Sequence, residues 1–404
     1  MSRVALVLQL LVVLPGLLPK ATVAPRPSAG CRLNASSSLN ISGVLTPFQL
    51  SVTDRHNLTM SRSYLLNLPP DPAPGSACNP GAQPPQLCPG TPPSPCPPTG
   101  FCPASTVPRK PLPLLLYFHG QGAMASDAAT TITNFVGVGN TDGFASVFLQ
   151  GVGDEDGNCT SGWNVGGGTF PGGTGSMCTR LAWSEFGCQC SCCYQSCQTL
   201  GHCTGDGEGA RCGWTTCFED VDFVRQLLAV LQREVCLDLD QIYASGESNG
   251  GMLVYHLIRE LPNTFAGVMP IYGLPLKGIA DDRGALSTQL QRTSIMHWHD
   301  RWDTVIPTDG TLSAQGWAYD TLNRTLSQWV ALHGCAADAR PIATPAAGGA
   351  DSTAVRRRVA CVEWPECRTG KTVMACEFDG QHGNWMADNL LEDAFAWFVQ
   401  RQQQ

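Results

Sequence analysis

Apolar positions along the chain follow two different periods. Leu112 to Phe118 is an unbroken apolar run that ends in His119-Gly120, and Phe144 to Leu149 is a second. Such runs predict parallel strands covered on both faces. Ile242 to Ser245, Gly267 to Ile271, Ser294 to His299 and Thr372 to Phe378 read as further strands, with two short ones at Phe48 to Val52 and Ser63 to Leu68. The helical period shows where Val221, Val224, Leu227, Leu228, Leu231 and Val235 recur at steps of three and four. Asn249 to Leu261, stopped by Pro262, Trp317 to His333, stopped by Gly334, and Met386 to Arg401 are also expected to be helical. Strands alternating with helices predict an α/β fold, a mostly parallel central sheet flanked by helices.

Two stretches break this rhythm. Residues 69–111 are crowded with Pro, Gly and Cys, including Cys78, Cys88, Cys96 and Cys102. Proline donates nothing to a ladder, so the stretch is no sheet. The segment before it is too small to fold alone, which favours a stapled surface insertion over a linker. Residues 151–217 form a second insertion, rich in Gly and carrying ten cysteines from Cys159 to Cys217. A stretch this long without regular pattern is functional or independently stapled.

The start of the chain tells where those cysteines belong. Arg3, the apolar run Val4 to Leu18 and the small residues Ala21 and Ala24 predict a signal peptide over residues 1–24. The run is too short to span a bilayer. Twenty cysteines behind such a segment imply disulfides formed in an oxidising compartment. Zinc held by the cysteine cluster is the other reading, disfavoured by the compartment and by unpaired spacing. Sequons at Asn34, Asn40, Asn57, Asn158 and Asn323 add the expectation of a secreted, extracellular glycoprotein. Residues 25–404 are then expected to form the catalytic domain, with no membrane contact after cleavage.

Composition adds little to this. A hydrophobic share of 43% over 404 residues suffices for a large core. The net charge of −8 with no block of Lys or Arg argues against nucleic acid as a partner.

The chemistry lies at Gly246-Glu247-Ser248-Asn249-Gly250, a G-x-S-x-G sequence between a predicted strand and a predicted helix. That setting puts a serine on a sharp turn at the positive end of a helix. A serine hydroxyl needs a base, and the base needs an orienting acid, expected downstream in the order Ser, Asp, His. Asp303 lies just past the strand Ser294 to His299, with Asp300 as rival. His382 follows the strand Thr372 to Phe378. His119, His297 and His299 are assigned to packing or loop bonding. The oxyanion donors are expected at the N–H groups of Asn249 and of Gln121, the latter in the loop His119-Gly120-Gln121-Gly122. Trp163, Trp302 and Trp385 lie near these positions. They either stack on substrate or fill the core beneath the loops. No metal and no cofactor is expected.

These pieces together resemble the secreted feruloyl esterase and polyhydroxybutyrate depolymerase-like family of α/β-hydrolases. The similar blocks are Arg62 to Leu66, Leu114 to Gly120, Ser161-Gly162-Trp163-Asn164, Asp220 to Phe223, Ile242 to Met252, Phe265 to Val268, His299 to Pro307 and His382 to Trp385. The family's H-G-x-x-D-x-x-V-P motif is similar to His299 to Pro307 and implies that the acid is Asp303. The chain departs from it at Asp300 and Ile306. The resemblance implies an α/β-hydrolase fold and hydrolysis of carboxylic esters without a cofactor. The expected partner is an ester substrate, either a polysaccharide-linked ferulate ester or a polyester oligomer. A hydrolase fold that only binds is the remaining alternative, against which the complete set of three groups argues.

Overall fold

The computed structural model describes residues 25–32, 43–55, 57–70, 110–152, 161–165, 216, 218–276, 286, 288–314, 317–342, 359–383 and 390–402. The expected signal peptide, most of both insertions, Trp385, Asn34, Asn40 and Asn158 lie outside them.

Ten strands form one sheet: β1 (Thr46–Thr53), β2 (Thr59–Asn67), β3 (Leu112–Phe118), β4 (Ala145–Leu149), β5 (Leu237–Glu247), β6 (Gly267–Ile271), β7 (Ser294–Asp300), β8 (Arg340–Ile342), β9 (Val359–Trp364) and β10 (Val373–Phe378). Their spatial order is β1-β2-β4-β3-β5-β6-β7-β10-β9-β8. The run from β4 to β10 is parallel throughout, and antiparallel pairs close both sides. Five helices of eight residues or more are present among the described residues: α1 (Phe135–Asp142), α2 (Asp220–Glu234), α3 (Asn249–Glu260), α4 (Leu322–His333) and α5 (Leu390–Gln402). An antiparallel β2 leading into a crossed β4-β3-β5 centre, with each later parallel strand added outward, is the α/β-hydrolase arrangement.

Strand parity explains why the central runs are apolar throughout. Leu114, Leu116, Phe118, Ile242, Val268 and Ile295 face one way and pack with α2, α3 and α4. Leu115, Tyr117, Tyr243, Met269, Met296 and Trp298 face the other way, toward α1 and α5. Both faces of the parallel strands are therefore dry, and alternation is absent where it would be needed only for a wetted face.

Some boundaries differ from expectation. Helix α4 begins at Leu322, not Trp317, because Tyr319 bridges to Leu276 and Asp320 donates its N–H to the Pro275 carbonyl. Thr321 then caps the helix by accepting from the Arg324 N–H, and Gly334 ends it at φ 59°. Helix α1 and the antiparallel strands β8 and β9 were not expected from the sequence. Three disulfides are present among the described residues, Cys31–Cys236, Cys335–Cys367 and Cys361–Cys376. None of the described helices is long and apolar enough to cross a membrane.

Candidate active site

Four loops at the carboxyl ends of parallel strands converge. Ser248 directly follows β5, Asp303 lies three residues beyond β7, His382 four beyond β10, and Gly120 and Gln121 follow β3. This is the edge at which such sheets place function, because each loop leaves its strand toward the same side.

Ser248 adopts φ 51° and ψ −120°, a region that non-glycine residues avoid. The turn is held open on one side by the Ser248 N–H, which donates to the Ile271 carbonyl at 2.9 Å. On the other side, glycine is needed for closeness. A Cβ on Gly250 would sit 2.1 Å from the Phe118 carbonyl oxygen, and one on Gly246 would sit 2.7 Å from the same atom. Strand β3 and helix α3 thus touch backbone to backbone, and the serine stands at the N-terminus of α3.

The Ser248 hydroxyl is 2.8 Å from His382 Nε2, and His382 Nδ1 is 2.7 Å from Asp303 Oδ2. Asp303 Oδ1 accepts the backbone N–H groups of Val305 and Ile306, each at 2.8 Å. Burial alone would push the Asp303 carboxyl up. Hydrogen bonds from His299 and His382, the charge of His382 and the Ile306 N–H outweigh it and hold the group well below the usual carboxylate range. A carboxylate in this state leaves the proton on His382 Nδ1 and the lone pair on Nε2, facing the serine. The structure therefore brings Ser248, Asp303 and His382 together, and Asp303 rather than Asp300 meets the histidine.

Behind Asp303 runs a chain of buried groups, in which His299 bonds the loop that carries Asp303 and His297 backs it. His299 Nε2 is 2.8 Å from the Ile306 carbonyl and 3.3 Å from Asp303 Oδ2. A carbonyl only accepts, so this nitrogen carries the proton. His297 Nε2 then donates to His299 Nδ1 at 2.9 Å, and the Tyr255 hydroxyl donates to His297 Nδ1 at 2.8 Å. Burial, and the neighbouring His299, keep His297 neutral, well below the ordinary histidine value. The available signal was the i, i+2 spacing of the two histidines, which puts both on one face of β7.

The oxyanion side is built by the Ser161-Gly162-Trp163-Asn164 block. The Gly122 N–H donates to the Ser161 carbonyl at 2.7 Å, and the Ser161 hydroxyl donates to the Ala123 carbonyl at 2.6 Å. Asn249 grips Trp163 with its amide: Oδ1 accepts the Trp163 N–H at 2.7 Å and Nδ2 donates to the Trp163 carbonyl at 3.3 Å. Asn249 opens helix α3, so its own N–H has no acceptor within the helix. Gln121 is exposed in the facing loop.

The candidate aromatic contacts part ways here. Trp163 is a correction: it is 0% exposed and its indole N–H donates to the His119 carbonyl at 2.7 Å, so it packs under the loops and offers no ring face. Trp302 is 57% exposed beside the site, with its backbone N–H on the Gly380 carbonyl of the His382 loop. Asn57 and Asn323 are both exposed.

No family model matches the chain. Over 76 residues it is 37% identical to NocK of Nocardia uniformis subsp. tsuyamanensis, which is named as an esterase; the match takes in 16% of this chain and 22% of that protein's length. Among solved structures, the chain is similar to an acetyl xylan esterase from Aspergillus awamori at TM-score 0.44 and 9% identity, covering 87% of this chain and 99% of that one. It is also similar to an S-formylglutathione hydrolase from Staphylococcus aureus at TM-score 0.40 and 9% identity, covering 90% and 100%. Overlaps this loose carry no argument about chemistry, and the fold assignment rests on the strand order.

Proposed function

We propose that this chain is a serine carboxylesterase, and the observation that carries the reading is the Ser248–His382–Asp303 hydrogen-bond path at a strained strand-to-helix turn. His382 Nε2 takes the Ser248 proton as the oxygen attacks an ester carbonyl. The tetrahedral oxyanion is held by the N–H groups of Asn249 and Gln121. The imidazolium, steadied by Asp303, returns the proton to the leaving alcohol and leaves an acyl-enzyme. Water, activated by the same histidine, releases the acid.

One observation favours an ester with a flat or apolar acyl group. Of the large hydrophobic side chains that stay exposed among the described residues, Met124 and Trp302 both follow carboxyl ends of strands at the site, β3 and β7. An exposed indole there suits stacking on a feruloyl ring or a sugar. Feruloyl esters on cell-wall polysaccharide are therefore the preferred class, with polyester oligomers second. Secretion is part of the same reading, supported by the disulfides and by the signal-like start of the chain.

Methyl ferulate, short acyl esters and hydroxybutyrate oligomers, offered to wild type and to Ser248→Ala, test the proposal. Wild type is expected to cleave at least one and the variant none. Equal rates would show cleavage that does not use Ser248, and none by either would leave a binding protein; both outcomes sink the proposal.

A further inference from the structure

Glu247, the residue before the nucleophile, is a buried carboxylate outside the hydrogen-bond path described above. Its Oε1 accepts the Gly120 N–H at 3.2 Å, and its Oε2 accepts the Tyr272 hydroxyl at 2.8 Å. Gly120 adjoins the Gln121 peptide of the oxyanion side. Tyr272 lies edge-on to the His382 ring with centroids 4.9 Å apart. One carboxylate thus reaches both halves of the site, the loop that would hold the oxyanion and the ring that would hold the proton.

We propose that Glu247 is a positioning residue for ester cleavage: as an anion it fixes the Gly120–Gln121 loop and stabilises the protonated form of His382. The proposal rests on the esterase reading above. Three observations support it. Both carboxyl oxygens accept hydrogen bonds, from the Gly120 N–H and the Tyr272 hydroxyl, a pattern that suits the anion. Among the described residues, no Lys or Arg stands among the groups that act on it, so none of them neutralises its charge as a permanent cation. The local backbone is held at some cost to bring Tyr272 there, since Tyr272 has φ 32° and a well-buried ring.

The groups facing this carboxylate are few. From β3 comes the buried Tyr117, from the loop after β3 Gly120, from the end of β6 Tyr272, and from the loop after β10 His382; Asp300 at the end of β7 acts on Tyr272. Burial pushes the Glu247 carboxyl above its ordinary value, against the pull of Tyr272, Gly120 and His382. Above that raised value the anion is present and favours a proton on His382. Below it the support is lost.

Two substitutions weaken this support, one fully and one in part. Glu247→Gln keeps an acceptor for Gly120 and a polar partner for Tyr272 but removes the charge, so His382 gives up its proton more readily. Tyr272→Phe removes a donor that favours the Glu247 anion, so the carboxyl rises further and His382 loses part of its support. The readouts are the acidic limb of kcat/KM for p-nitrophenyl acetate and the pH midpoint of the His382 ring signals in histidine-labelled protein. Glu247→Gln is expected to move both to lower pH by on the order of half to one unit, and Tyr272→Phe to move both in the same direction by less. A purely structural role would lower activity in both variants and shift neither midpoint, and that result overturns the proposal. If Glu247→Gln does not fold, the direction of shift in Tyr272→Phe decides. If wild type cleaves no ester, the esterase reading falls, while the ring midpoints still decide the role of Glu247.

Discussion

Asp303 receives four donors, two from backbone and two from imidazoles, and this arrangement dictates what its amide would do. In Asp303→Asn the N–H groups of Val305 and Ile306 require an acceptor, so the amide oxygen takes the Oδ1 position. The NH2 group then faces His382 Nδ1, which must become the acceptor. The ring proton moves to Nε2, and the lone pair no longer faces Ser248. We expect kcat to fall on the order of 10⁴-fold with the fold intact, measured by ester turnover beside a thermal melt. A loss under tenfold would contradict the tautomer argument. His299 acts one step further back. Replacing it by Phe strands the buried Ile306 carbonyl and removes a donor from Asp303, at a cost of about 1–3 kcal/mol in stability. Gln in its place can restore the donor, so His299→Gln is expected to melt above His299→Phe. Equal melting would show that the N–H matters little.

Elements that are dry on both faces were legible in the chain, and elements that are not were missed. Strands β3, β4 and β6 are largely apolar runs because helices cover both sides of each. Strand β9 sits in the antiparallel flank with half its residues partly exposed, and β8 is three residues containing Pro341, so neither shows a run. Helix α1 hides behind Gly137 and Gly139, the latter required because a Cβ there would lie 2.9 Å from the Phe144 carbonyl oxygen. The site residues were legible where a motif fixes them to a strand end, as for Ser248, Asp303 and His382. The sequence left Trp163 between stacking on substrate and core packing, because nearness to a motif does not say which side of the loop a ring packs on. The elbow itself yields an element-scale prediction. In Gly250→Ala the new methyl meets the Phe118 carbonyl, so α3 must lift from β3. Ester turnover is expected to drop at least about 100-fold and the melt to fall, by the few kcal/mol that overpacking costs. An active Gly250→Ala would mean that the close contact is not required.

Across the whole molecule, burial of histidine ties stability to pH. Burial lowers His119 to about 4, even though the Gly120 carbonyl and nearby Asp127 favour its charged form. Nδ1 donates to that carbonyl and Nε2 accepts the Gly151 N–H at 2.9 Å, so the ring has no place for a second proton. The unfolded chain takes up that proton near the ordinary value of 6.5 and the folded one only near 4. The contribution is therefore complete above pH 6.5 and is lost as pH falls from 6.5 to 4, at about 1.4 kcal/mol per unit. Urea melts of wild type and His119→Gln should narrow in difference by about 3 kcal/mol across that window. A constant difference would mean that His119 titrates alike in both states. The chain is also held globally by Cys31–Cys236, which joins residues 205 apart, whereas Cys361–Cys376 joins residues 15 apart across neighbouring strands. Loop-closure entropy gives the first about 5 kcal/mol and the second about 3 kcal/mol. Paired Ser substitutions should follow that order.

The central claim is that Ser248 is a nucleophile made reactive by His382. Incubation of wild type, Ser248→Ala and His382→Ala with a fluorophosphonate, followed by peptide mass mapping, tests it directly. One adduct is expected, on Ser248, formed fast in wild type, absent in Ser248→Ala and slowed by orders of magnitude in His382→Ala. An unlabelled wild type, or equal labelling of wild type and His382→Ala, would contradict it.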